Sequence, residues 1–231
     1  MPSGADGCWW PSATDELIAA QRGLAAQMPE PWTFRDGCLV AGCWACFPLG
    51  ATGPGAAGDP AWAAAVATRS GRVVARRVVT GRTGAAYHPG LLALRIGPLL
   101  DDAVRRLDPP PAVLLVDATG RDHPRRAGLA LHLGAALDLP TVGVTHRPLH
   151  ATGDQPADTA LATAPLFLDG EEVACWLRTR PGTRPIVVHP AWRTDVQAAL
   201  QVVEASLAGR RTPEPLRLAR QAARRTRTSA R

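Results

Sequence analysis

The spacing of apolar residues predicts a chain of alternating element types. Residues 12–28 (SATDELIAAQRGLAAQM) put Leu17, Ile18, Leu24 and Met28 on one side of a helix that Ser12 or Thr14 can cap. After Asp36-Gly37, the apolar run 38–47 (CLVAGCWACF) reads as a buried strand, and the Gly- and Pro-rich stretch 48–60 as a loop. AWAAAVATR and RVVARRVVT flank Ser70-Gly71, the signature of a tight hairpin, so three successive antiparallel strands are expected. Residues 91–107 are helical in period but contain Pro98, which predicts two pieces or a kink before Pro109-Pro110-Pro111 ends them.

The second half changes rhythm. AVLLVD (112–117), RRAGLALHLGAALD (125–138) and TVGV (141–144) form a strand, helix, strand unit, which implies parallel pairing. Residues 165–168, 173–179 and 185–188 are weaker strands. Residues 194–207 form an amphipathic helix with Val196, Leu200, Val203 and Leu207 on one face, and 213–226 a last, Arg-rich helix.

Composition narrows the class. The chain has 231 residues, 46% of them hydrophobic and 20% charged, which suits a folded α/β domain and not a disordered one. No run approaches a membrane span, and the first residues lack the basic segment and apolar run of a secretion signal. Five Cys make no disulfide framework, so a cytoplasmic location is expected. The net charge of +6 is unevenly placed: eight Arg and one acid fall within 209–231, leaving the remainder nearly balanced. Residues 1–220 are therefore read as the domain and 221–231 as a basic, flexible tail. A solvated terminus and a contact with an acidic partner such as nucleic acid both remain open for it.

Four segments carry more specific information. They are Tyr87-His88-Pro89-Gly90 with LLALRIGP, then LLVDATGRDHPRRAGLALHLGAALDLPTVGVTHRPL (114–149), PIVVHPAWR (185–193) and RRTPEPLRLA (210–219). With VAGCWACF (40–47), their order and spacing resemble the endonuclease V family. The resemblance implies a ribonuclease H-like mixed sheet, three antiparallel strands and then parallel ones, flanked by helices. It also implies a nuclease that nicks DNA or RNA near deaminated bases, chiefly inosine, with Mg2+ held by carboxylates. Such a reaction uses the ion to activate water and to stabilise charge on the phosphate.

Position by position, the match is uneven. Where the family pattern has its first-strand aspartate, this chain has Trp44, and where it has a glutamate, Ile96. The aspartate ending the fourth strand is present as Asp117, the one surviving family carboxylate and a single, poor metal ligand. His123, Pro124 and Arg125 match, His146 replaces a lysine, and Trp192 replaces a histidine. The expectation is a nucleic-acid-binding protein of the DNA/RNA repair type that has lost most or all metal-dependent cleavage. No cofactor is expected, Mg2+ or Mn2+ entering only with residual activity. An active endonuclease and a structural or regulatory protein-interaction domain are the alternatives.

The resemblance further implies a nucleic-acid-binding set of Tyr87, Pro89, Gly90, His123, Arg125 and His146. Tyr87 matches a wedge tyrosine that replaces lost stacking when a base is pushed out, and a packing role stands beside it. His123 faces phosphate or closes the turn after Asp117. Asp36 and Asp122 read as loop or cap residues. Cys43 and Cys46 read as buried thiols, because positions i and i+3 of a strand point to opposite faces.

Overall fold

A computed structural model of the chain describes residues 10–229. In chain order the elements are α1 (Thr14–Ala25), β1 (Val40–Cys46), β2 (Pro60–Arg69), β3 (Arg72–Arg82), α2 (Leu92–Arg105), β4 (Val113–Val116) and α3 (Leu129–Leu137). They continue as β5 (Thr141–Thr145), β6 (Ala162–Leu168), β7 (Glu171–Arg178), β8 (Ile186–Pro190), α4 (Val196–Ala205) and α5 (Glu214–Ser229). The eight strands form one sheet in the order β3-β2-β1-β4-β5-β8-β7-β6. The β1–β2 and β2–β3 pairs are antiparallel and β1–β4 and β4–β5 parallel, as the sequence pattern predicts. The three weaker strands add an antiparallel extension beyond β5.

Helices cover both faces. Helices α1–α3 pack over Ala41, Cys43, Ala63, Leu114 and Val116, while α4 and α5 pack over Val40, Val66, Val113, Leu115 and Val188. Cys43 and Cys46 thus fall in different cores, one on each face of β1. Strand β2 is buried along nearly its whole length and half alanine, so small side chains let α2 and α5 approach it from opposite sides. A further close approach is at Gly42 of β1. A Cβ there would stand 2.5 Å from the backbone of Pro215 and Leu216, so the start of α5 rests directly on strand backbone.

Several expectations need correction. Helix α1 ends at Ala25, leaving Met28 77% exposed outside it. Its start is capped by the Glu16 carboxylate, which accepts from the Ser12 and Ala13 backbone N–H groups. Helix α2 runs unbroken through Pro98, and the N–H of Gly84 donates to the Arg95 carbonyl in the turn before it. Helix α3 begins at Leu129, not 125, because Pro124 and the left-handed Arg126 (φ 56°) form a turn before Gly128 admits the helix. The stretch read as a flexible tail is helix through Ser229. Leu216, Ala219, Ala222 and Ala223 form a buried stripe against β1 and β2 that the density of arginines conceals in the sequence.

Candidate functional site

The parallel register of β1 and β4 pairs Cys43 with Val116, which brings the next residues, Trp44 and Asp117, side by side. The Trp44 indole N–H donates to Asp117 Oδ2 at 2.8 Å. The same oxygen lies 3.4 Å from Nη2 of Arg220, which reaches over from α5. The guanidinium of Arg220 also sits 5.3 Å from the Trp44 ring centre, and that of Arg224 5.2 Å from it. Asp117 is therefore held by a neutral donor and a cation. Buried Cys43, directly behind it, has its thiol pushed well above the ordinary range by burial and then by the Asp117 charge, so it stays protonated.

Ile96 is buried beside this group, and Trp44, Ile96 and Asp117 line one cleft of about 500 Å³ with Tyr87, Arg224 and Arg227. Arg95, 4% exposed, fastens the opposite rim. It donates to the carbonyls of Ala56 (3.3 Å) and Ala85 (2.6 Å), pairs with Asp59 at 3.5 Å and lies over the Phe47 ring. Trp192 does not line the cleft. Its indole N–H points to Asp138 at 3.4 Å, and its backbone pairs with Thr141 at the start of β5.

Tyr87, His88 and Pro89 are exposed on the loop between β3 and α2, and Gly90 closes that loop at a φ of +77°. Three side chains converge on the Gly90 carbonyl: Gln21 Nε2 at 3.2 Å, Arg125 Nη2 at 2.7 Å and His123 Nε2 at 3.2 Å. Arg125 Nε is tied in turn to Gln21 Oε1. The backbone N–H of Arg125 donates to His123 Nδ1, which leaves the ring proton on Nε2, facing Gly90. Burial, and then the neighbouring Arg125 charge, push the His123 pKa down to about 4, so this neutral tautomer is the resting one. The structure thus draws His123 and Arg125 into the inside of the loop's anchor, while Tyr87 and Pro89 remain on its surface.

His146, just past β5, is exposed, with Arg211, Asp117 and Arg220 near it. Burial of its ring and then Arg211 lower its pKa. Asp122 is fully buried and turned away from Asp117. Its oxygens accept the backbone N–H groups of Leu149, His150 and Ala151 at 2.6 to 2.8 Å, so it organises the loop after β5. Glu214 pairs with Arg217 and Arg210 at the start of α5. Sequence reasoning passed over Arg95, Arg220, Arg224 and Arg227. For the last three the signal was available: positions i, i+4 and i+7 share one helix face.

The family model for Endonuclease V matches residues 40–221. The chain belongs to the endonuclease V family. It is 35% identical over 212 residues to the Endonuclease V of Roseiflexus castenholzii, covering 91% of each chain. To that of Methanopyrus kandleri it is 44% identical over 147 residues, 64% of this chain and 63% of the other. The crystal structure of the Streptomyces avermitilis Endonuclease V superposes with a TM-score of 0.85 at 33% identity, covering 96% of both chains. The catalytic domain of human Endonuclease V gives 0.82 at 28% identity over 95% of this chain and 98% of that one. The fold is therefore ribonuclease H-like, as the resemblance implies. A Ciona intestinalis Endonuclease V solved with a 24mer DNA containing an inosine shares the fold, with a TM-score of 0.78 at 18% identity.

The metal this family uses does not fit the residues present. Mg2+ requires about six oxygens in near-octahedral array. Trp44 and Ile96 supply none, and of the two Asp117 oxygens Oδ2 already accepts from Trp44 beside the Arg220 charge. Among the described residues no group of three or more His, Cys, Asp or Glu is arranged to hold a metal ion. No helix among them is long and apolar enough to cross a membrane.

Proposed function

We propose that this chain binds nucleic acid as an endonuclease V family protein and does not cleave it. One observation carries the reading: the indole N–H of Trp44 and the guanidinium of Arg220 both engage Asp117 Oδ2, so a hard cation that needs about six oxygens would meet a single carboxylate, half engaged and already paired with a cation. Hydrolysis of a phosphodiester needs a generated nucleophile and a counter-charge on the phosphate. The cleft retains a counter-charge in its arginines, and it retains no group able to activate water. The loop anchor at Gly90, in contrast, is complete and presents Tyr87, 47% exposed, at the cleft mouth, where its ring can stack on a base.

Two assays test this. Inosine-containing DNA and RNA strands are incubated with Mg2+ or Mn2+ and with either the protein or its Asp117→Ala variant, and an electrophoretic shift is run in parallel at low and high salt. The expected result is a salt-sensitive shift with no nicks above background. Nicks that vanish in Asp117→Ala would overturn the loss of cleavage. No shift with any strand at low salt would overturn the binding role and leave a protein-contact domain.

A further inference from the structure

Helix α5 is the wall of the cleft nearest Asp117, and it carries Arg220, Arg224 and Arg227 on that side. Arg220 is committed to Asp117. Arg224 is exposed, lies over the Trp44 ring, and its side chain has no ion pair or hydrogen bond among the described residues. Arg227 gives one N–H to the Phe47 carbonyl at 3.1 Å, and its buried Nε has no partner. The two acids in the cleft are both engaged, Asp117 with Arg220 and Asp59 with Arg95. The wall thus holds two guanidinium groups with no carboxylate of their own. Arg224 also lines a second groove, of about 670 Å³, that continues along α5 past Arg225 to Ser229. An open path of unneutralised arginines therefore leads from the Trp44 ring outward.

We infer that Arg224 and Arg227 hold the phosphodiester backbone of a nucleic acid strand directly, with no bridging divalent cation, and that Arg220 is a positioning residue that neutralises Asp117. The inference rests on the nucleic-acid-binding reading and adds to it where the strand lies and what balances its charge. The chemistry is that of guanidinium forks on phosphate oxygens. A metal-dependent site keeps its acids free and is negative until the ion arrives. This cleft is already net positive, so a divalent ion gains nothing there and competes with the strand only as bulk salt. A strand, unlike free phosphate, spans both grooves and engages the two arginines together.

The test is fluorescence anisotropy with labelled oligonucleotides, one with a single inosine and one plain, titrated with the full chain in EDTA and in Mg2+ at matched ionic strength. Affinity is expected to agree within about twofold between the two conditions. Arg224→Gln with Arg227→Gln is expected to weaken binding about tenfold for both oligonucleotides and to flatten the salt dependence by about 1.4 in log–log slope, the share of two phosphate contacts on a single strand. Arg72→Gln with Arg76→Gln removes the same charge from exposed β3, away from the cleft, and serves as the comparison. Millimolar inorganic phosphate is expected not to displace the strand. Binding that requires Mg2+, an equal loss in the β3 variant, or displacement by inorganic phosphate would overturn the inference while the binding role stands. No binding by the unaltered chain in either condition would overturn the binding role itself.

Discussion

Two oxygens in this molecule gather donors in similar ways, and they differ in what those donors accomplish. The Gly90 carbonyl accepts from Gln21, His123 and Arg125, and the Asp117 carboxylate accepts from Trp44 beside Arg220. In the first case the acceptor is neutral backbone and two of the three donors, His123 and Arg125, are residues that match the family pattern. The result is a rigid anchor for an exposed loop. In the second the acceptor is a charge, and its partners are an indole where the family pattern has an acid and an arginine from the last helix. The result is a carboxylate with one oxygen, Oδ2, engaged and its charge offset by a cation. An anchor works by having all its bonds made, whereas a metal site works by having some bonds unmade. That contrast sets the fully bonded loop anchor apart from the partly engaged carboxylate in the cleft.

The largest effect should come from reopening the second region. Trp44→Asp with Ile96→Glu places three acids around one point, and like charges at that distance raise one another's pKa. The variant is expected to lose about 3 kcal/mol of stability in EDTA and to regain part of it in millimolar Mn2+ or Mg2+, read by thermal unfolding. Recovery with the metal would show that those two positions account for the closed site. A variant that ignores the metal would show that Arg220 also has to go.

The anchor has its own pH signature. An unfolded histidine titrates near 6.5 and folded His123 near 4, so the unfolded chain takes up a proton that the folded chain refuses. Stability is therefore expected to fall as pH drops from 6.5 toward 4, by about 3 kcal/mol for His123. Buried His189, its pKa lowered by burial, adds in the same direction. Urea unfolding at steps through that range measures the fall, and a His123→Gln variant should show a shallower one.

Next in size is Arg125→Ala, which removes one donor from Gly90 and leaves Gln21 Oε1 without a partner. The expected cost is about 2 kcal/mol, with faster amide exchange in residues 86–91 and no comparable change around Asp117. Asp117→Asn should be the mildest. The amide oxygen still accepts from Trp44 and only a half-exposed ion pair is lost, so the expected change is below about 1 kcal/mol. Strand binding should hold or tighten slightly, whereas an enzyme relying on this carboxylate would lose its turnover.

Much of this was legible in the chain itself. The hairpin at Ser70-Gly71, the parallel unit around β4 and the identity of residues 44, 96 and 117 all come from spacing and motif. What was not legible has specific causes. The start of α3 moved because Arg126 takes a left-handed turn that its neighbours impose. Sequence left His123 between a phosphate contact and a turn contact, because polarity does not show burial or partners; the structure turns His123 and Arg125 toward a carbonyl 33 and 35 residues away. The run of arginines from 217 onward hid the Ala219, Ala222 and Ala223 stripe that fastens α5 to the sheet.

Sequence alone determined which side chains stand at the three positions: a carboxylate at 117, an indole at 44 and a sec-butyl group at 96. Only the tertiary structure decided what those atoms do to one another. Register put Trp44 against Asp117, and close packing at Gly42 brought α5 near enough for Arg220 to reach the same oxygen. Ligand chemistry belongs to the residue, but whether a lone pair is free belongs to its neighbours, and those come from 73 and 103 positions away.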